Sequence, residues 1–218
     1  MGKYVGQSVI RIDGPERVTG KTIYAPDIQF SDMLYGAVAR SSHAHALLKE
    51  IRTEKARRSP GVRAVITGDM LPYMFGSMIA DQPFLAKDRV RYNGEPIALV
   101  IAESELEAQM AADAIEASYE DLPAVFDVFE ALKDDAPLVH EDQHAYRRDP
   151  ARYPALDHTN ICNETSYELG DVEKAFAQAD HVFEHCFFSH PTSHCAMEPF
   201  GSVARYDAVT GHFTLWTT

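Results

Sequence analysis

Within eleven positions, His185, Cys186, His190, His194 and Cys195 gather imidazole and thiol groups, the side chains that bind zinc most readily. Their spacing works against a site. On a strand His185 and Cys186 would face opposite ways, and Pro191 interrupts any helix that would align His190 with His194. His43 and His45, in SSHAHA, alternate onto one side of a turn between two strand-like runs, but no third ligand lies nearby in sequence. Capping of backbone groups is the simpler role for them. Glu95 follows Asn93 and Gly94 in NGEP, where organising a turn accounts for a carboxylate, with a reach toward a second domain as the alternative. No metal site is expected. A small zinc hydrolase stays as a remote reading on the His and Cys cluster alone.

The chain around these residues has 218 positions and a hydrophobic content of 45%, enough for one good core or two modest ones. Its formal charge is -13, from 20 Lys plus Arg against 33 Asp plus Glu, so its averaged surface repels phosphate backbones and anionic lipid heads. Nucleic acid and membrane partners are not expected. Acidic groups concentrate at Glu103, Glu105 and Glu107 and again at Asp134, Asp135, Glu141 and Asp142, which reads as solvated surface. Three cysteines with irregular spacing do not form a disulfide framework and fit a reducing, cytoplasmic setting. The opening MGKYVGQSVIRIDG holds no apolar stretch suited to a signal peptide. The longest apolar run, Ile97 to Ala102, falls far short of the roughly 20 residues that span a bilayer.

Elements follow from local pattern. Met33 to Arg40 is rich in strand formers, and Ala46 to Ile51 is expected to pair with it. Val62, Ala64 and Ile66 alternate after Pro60 and Gly61, as in a half-buried strand. Val90 to Tyr92 and Ile97 to Ala102 flank Asn93 and Gly94, which predicts a bent hairpin, with Pro96 moving the second strand to an edge or a late start. Ser104 and Glu107 have capping-box spacing, and Leu106, Met110, Ala114 and Ala117 recur at helical intervals on one face. Tyr119 to Val125 reads as a strand interrupted by Pro123. Residues 131 to 160 lack an apolar period and carry Pro137, Pro150 and Pro154, so they read as an extended connection between domains. Asp171 can cap a helix with Val172, Ala175, Phe176 and Ala179 on one face. His181 to Phe188 reads as a strand, and Ser202 to Tyr206 with His212 to Trp216 as a hairpin.

RIDGPERVTGKTIYAPDI (11 to 28), MLYGAVARSSHAHA (33 to 46), PGVRAVITGDMLP (60 to 72), DRVRYNGEPIALVIAES (88 to 104), YEDLPAVFD (119 to 127), APLVHED (136 to 142), GDVEKAFAQADHVFE (170 to 184) and SHCAMEPFGSVARYD (193 to 207) occur in this order. The series resembles the N-terminal part of the large, molybdenum-binding subunit of molybdenum hydroxylases, the family of xanthine dehydrogenase, aldehyde oxidase, aerobic carbon monoxide dehydrogenase and 4-hydroxybenzoyl-CoA reductase. The resemblance implies an α+β fold, with an a/b hammerhead domain over 1–130 that includes an N-terminal arm, 1–16. An extended connection over 131–165 and an incomplete first molybdopterin-binding domain over 166–218 would follow. It further implies an oxidoreductase that hydroxylates or reduces an aromatic, heterocyclic or aldehyde substrate. The cofactor would be molybdopterin, as the cytosine dinucleotide, with 2Fe-2S clusters and FAD carried by an iron-sulfur subunit and a flavin subunit.

The same resemblance assigns cofactor-side positions to Thr192, Ser193, His194, Met197 and Glu198. Some relatives carry glutamine where this chain has Thr192, whose shorter hydroxyl would act through a water or not at all, so no catalytic role passes to it. For Glu198 a structural role, accepting backbone hydrogen bonds beside Pro199, outweighs direct chemistry. The family's glycine-rich GGGFGGK-like loop, its substrate-side arginine and the glutamate that serves as catalytic base have no counterpart in these residues. No catalytic residue is therefore expected in the chain, and no turnover without the remaining half of the large polypeptide, whether that half comes from a split gene or was lost by truncation. A non-catalytic hammerhead module that docks redox subunits is the alternative.

Overall fold

Six consecutive apolar residues, Ile97 to Ala102, cannot face water on either side, and the fold is built around them. A computed structural model describes residues 4–196 and 198–218. In chain order its elements begin with α1 (Gly14–Val18), β1 (Tyr35–Arg40), β2 (Ala46–Arg52), α2 (Glu54–Arg58) and β3 (Val62–Thr67). The short strands β4 (Met74–Phe75), β5 (Ile79–Ala80), β6 (Gln82–Pro83) and β7 (Arg89–Val90) precede β8 (Pro96–Ala102), α3 (Glu105–Asp113) and β9 (Glu116–Asp121). The rest comprises α4 (Val128–Ala131), β10 (Arg147–Arg148), α5 (Val172–Gln178), β11 (Ser202–Asp207) and β12 (His212–Thr217). By packing, the described residues fall into two units, one of 34–181 and one joining the N-terminal stretch through Met33 to 182–218.

In the first unit β8 is the middle strand of an antiparallel sheet ordered β1-β8-β3, and β2 is the middle strand of a second sheet ordered β7-β2-β9. Two expectations are corrected here. Strand β2 does not pair with β1: the chain after β1 crosses to the other sheet, where β2 pairs with β9 and Leu48 faces Tyr119 and Ile51 faces Ala117. Strands β7 and β8 do not form a hairpin either; they belong to different sheets. The Asn93–Gly94 turn bonds instead to the chain leaving β1: Gly94 N–H donates to the Ser41 carbonyl at 2.8 Å, and Ser41 N–H to the Glu95 carbonyl at 2.9 Å. Gly94 needs φ +90° for this, a region open to glycine. Pro96, without an N–H, is accommodated as the first residue of a central strand rather than on an edge.

Helix α3 starts as expected, with Ser104 Oγ accepting the Glu107 N–H at 3.3 Å and donating to the Glu107 carboxylate at 2.7 Å. Its buried face differs from the expected one. Ala108, Ala111 and Ala112 are buried, whereas Leu106 and Met110 are exposed. These methyl groups join Ala37, Ala56, Val65, Val100 and Ala102 in one core, and such small side chains let a helix lie close on a sheet. The longer Leu106 and Met110 would not fit that gap. A second core unites Ala39, Ala46, Leu48, Ala86, Val90, Ile97 and Ala98. Strands β1 and β8 thus feed both cores, each contributing residues to either cluster.

Beyond β9, which ends before Pro123, the connection is more ordered than its sequence predicts: α4, a 3-10 turn over Gln143–Ala145, and β10, whose Arg148 pairs with Ile79 of β5. Asp171 caps α5 by accepting the Lys174 N–H at 2.9 Å, yet no residue of that helix is buried. In the second unit β11 and β12 form the expected hairpin, turned at Gly211. Residues 181–188 form no ladder, contrary to expectation; a strand needs a second strand in register to take up its backbone N–H and C=O groups, and among the described residues none pairs with this segment. Among the described residues no helix is long and apolar enough to cross a membrane.

Candidate functional site

Of the five cofactor-side positions, Thr192, Ser193 and His194 lie on an exposed irregular segment that follows Pro191. Ser193 Oγ accepts the backbone N–H of Cys195 at 3.4 Å, and Cys195 itself adopts φ +46°, a left-handed conformation that L residues with side chains seldom take. Local strain of this sort costs on the order of 1–3 kcal/mol and collects at binding segments. Met197 lies outside the described residues. Glu198 is half-buried; Arg17 is held protonated first by Asp13 and, as a smaller contribution, by the charge of Glu198. The segment thus presents hydroxyl, imidazole and carboxylate groups in a row without enclosing them.

The other sequence candidates have structural partners. His45 is buried, and its Nδ1 lies 2.7 Å from the Pro123 carbonyl, while His43 stacks on Tyr119 with centroids 4.1 Å apart. Glu95 is 2% exposed and accepts the Arg91 N–H, and burial pushes its carboxyl above the usual range. It closes the turn, as its sequence position predicts. Cys162, Cys186 and Cys195 are free and exposed. Among the described residues no three His, Cys, Asp or Glu side chains gather where a metal ion could sit.

One polar cluster has no counterpart among the sequence candidates. A cavity of about 380 Å³ opens among β5, α4, the 3-10 turn and β10, all within the unit of 34–181. Its wall is fixed by two amides: Asn160 Nδ2 donates to the Ala131 and Pro137 carbonyls, both at 3.1 Å, and Gln143 Nε2 to those of Thr159 and Ile161, both at 3.0 Å. His140 Nδ1 lies 2.7 Å from the Tyr146 hydroxyl, and burial, then the charge of Arg91, holds that imidazole below its usual pKa. Arg148 Nη2 donates to the Gln143 carbonyl. Gln143 Oε1, Arg148 Nε and Arg148 Nη1 are buried without a hydrogen-bond partner. The sequence signal is QHAYRR, where cations follow amides and aromatics. It is hidden by the prolines that mark the stretch as a linker.

Two family profiles match the chain in sequence order. Residues 19–123 match the profile described as aldehyde oxidase and xanthine dehydrogenase, a/b hammerhead domain, and residues 155–218 the molybdopterin cofactor-binding domain. The chain is 36% identical to the nicotinate dehydrogenase large molybdopterin subunit of Eubacterium barkeri, over 95% of the chain and 46% of that protein. It is 38% identical to a probable xanthine dehydrogenase subunit of Bacillus subtilis (strain 168), over 96% of the chain and 26% of that protein. The chain therefore spans from about a quarter to just under half the length of these relatives. Its structure superposes on that of a reconstituted CO dehydrogenase from Oligotropha carboxidovorans with a TM-score of 0.80 and 32% identity, covering 98% of this chain and 27% of that one. Two profiles in the family's order, relatives aligned over nearly all of the chain and a shared α+β architecture agree: this chain belongs to the xanthine dehydrogenase and aldehyde oxidase family of molybdenum hydroxylases, as an N-terminal part of the large, molybdenum-binding subunit.

Proposed function

We propose that the chain is the scaffold half of a molybdenum hydroxylase oxidoreductase acting on an aromatic, heterocyclic or aldehyde substrate, and that it turns over only with the remaining half of the large subunit. The observation that carries this reading is the hammerhead profile followed by the cofactor-domain profile in one chain of partial length. The names of its relatives, which include a nicotinate dehydrogenase and a probable xanthine dehydrogenase, support heteroaromatic substrates first. As sequence domains we take 1–130 for the hammerhead with its arm 1–16, 131–165 for the connection and 166–218 for the start of the cofactor domain. Packing groups the arm with 182–218, so the arm would brace that cofactor domain.

The donor set on the 190–198 segment suits one wall of a molybdopterin site. Thr192 and Ser193 hydroxyls and the His194 imidazole can hydrogen-bond pterin or phosphate oxygens, and the exposure of the segment leaves them available. Met197 would add an apolar contact, and Glu198, half-buried, would order the turn before Pro199. When bound, the cofactor supplies the redox chemistry at the substrate carbon. The chain's own residues hold and orient it, and the catalytic base comes from the other half. We take the cofactor to be the cytosine dinucleotide form, with electrons leaving through a 2Fe-2S subunit to an FAD subunit, in the cytoplasm. Free, exposed cysteines fit that reducing setting.

The test is co-expression with a polypeptide carrying the complementary half, followed by elemental analysis for molybdenum and an assay with heteroaromatic substrates. Molybdenum retained by the complex, with turnover absent from the isolated chain, is expected. A metal-free, inactive complex would overturn the proposal, as would turnover by the isolated chain.

A further inference from the structure

The cavity beside β10 has no part in the cofactor reading, since its lining comes from 79 to 162 and none of it from the 190–198 segment. Its volume, about 380 Å³, is near the small end of the roughly 300–1,000 Å³ usual for ligand pockets. That is far more than the ~30 Å³ share of a single water. Ile79, Val125, Val128 and Val139 make one part of the wall apolar. The polar part carries two unpartnered donor nitrogens of Arg148, Nε with one N–H and Nη1 with two, and one unpartnered acceptor, Oε1 of Gln143. Gln143 is 8% exposed, and its amide nitrogen is already committed to two carbonyls, so Oε1 cannot be satisfied by flipping the amide.

An arginine stays charged at any relevant pH, and a guanidinium with two buried, idle donor nitrogens calls for an anionic acceptor. Asp81 also lines the cavity, but it forms no ion pair with Arg148 among the described residues, and Asp127 spends its carboxylate on the Phe129 and Glu130 N–H groups. Among the described residues no side chain supplies the missing acceptor. We propose that this cavity binds a small organic carboxylate with an apolar body and one hydrogen-bond donor. The carboxylate sits on the free N–H groups of Arg148, the body lies against Ile79, Val125, Val128 and Val139, and the donor meets Gln143 Oε1. The walls are set before the ligand arrives, since Asn160 and Gln143 tie together the segments around it.

The probe is meta-hydroxybenzoate titrated into the full 218-residue chain labelled with nitrogen-15, with the Arg148 Nε–H resonance assigned by its loss in Arg148→Lys. A saturable shift of that resonance, with a millimolar midpoint, is expected. The neutral meta-hydroxybenzamide should bind about tenfold more weakly, because it lacks the charge-assisted contact. Benzoate, without the hydroxyl donor, should fall between the two. Should Arg148→Lys fail to fold, Val128→Trp serves in its place: it fills the cavity from an exposed position and should abolish the shift while Arg148 stays put. No saturable shift, equal binding of acid and amide, a shift that persists in Val128→Trp, or parallel movement of every arginine resonance, as an adventitious ion would cause, overturns the proposal.

Discussion

Within 34–181, side chains as small as Ala37, Ala98 and Ala111 are buried in two cores, and Val65, Val90 and Val100 are almost wholly shielded from water. In the unit that joins the N-terminal stretch to 182–218, larger apolar groups such as Ile10, Ile12, Phe187 and Phe200 stand exposed, and Ala25 and Val203 are its buried apolar residues among those described. The difference is one of closure rather than composition. The first unit has strands on both edges of β8 and a helix packed on that sheet, whereas the second has one hairpin among its described residues, held by Phe30 against Trp216 at 5.7 Å between centroids and by Arg205 over the Phe30 ring at 5.1 Å. Apolar burial is therefore concentrated in the first unit among the described residues.

The contrast breaks most sharply by substitution. Leu48→Ala, in the core shared by β2, β7 and β8, should cost about 2–5 kcal/mol. Val203→Ala should cost roughly 1–2 kcal/mol, since it removes two buried methylene equivalents from a unit whose described residues bury few others. The chain has one tryptophan, Trp216, in the less covered unit, so its emission follows that unit while far-UV circular dichroism follows the strands of the other. Denaturant curves by the two probes should separate, with Leu48→Ala moving only the second. A single transition moved equally for both probes would mean that the two units share one cooperative core.

How far the sequence foretold this follows the same divide. Strands and helices with a local cause were legible: Ser104 opposite Glu107, Asp171 before Val172, Asp207 to Gly211 between two apolar runs. Partners were not. Alternation sets which residues form a strand but not which strand fills which edge of β8, and that choice depends on residues far apart in the chain. The buried face of α3 was hidden because Leu106 and Met110 outweigh alanines in any hydropathy pattern, while a narrow gap over the sheet admits methyl groups alone. At the candidate site the ordered motif series carried the family assignment, whereas the Gln143 and Arg148 cavity exists only once β5 and β10 are paired.

A smaller effect sharpens the comparison from inside the first unit. Burial raises the Glu95 carboxyl above its usual value despite the N–H groups of Arg91 and Tyr92 that favour the charged form. The folded state thus holds this proton more tightly than the unfolded chain does. Its stabilising contribution is complete below the unfolded pKa and is lost as pH rises through the folded one. The stability of the native sequence relative to Glu95→Gln, measured by denaturant, should fall as pH rises across that range. Carboxyls lowered by their partners, such as Glu50 beside Arg52 and Glu116 beside Lys55, contribute with the opposite sign to both proteins. A difference that stays constant with pH would assign the pH dependence to other carboxyls.

The smallest effect belongs to the other unit, in the local ion pairs of Asp13. Asp13 accepts from Arg11 Nη2 at 2.9 Å and from Arg17 Nε at 2.8 Å, and these two guanidinium partners lower its pKa from 3.8 to about 2. The sign is opposite to that of Glu95: whatever order this cluster confers is present above the unfolded pKa and is lost as pH falls through about 2. All three groups face solvent, so salt screens them and the effect on global stability is slight. The carboxyl carbon resonance of Asp13 should titrate with a midpoint near 2 at low ionic strength, and Arg11→Gln and Arg17→Gln should each raise it part of the way toward 3.8, the first by more. A native midpoint already near 3.8 would mean that the two guanidinium groups do not hold the Asp13 carboxylate and do not order this first helical turn.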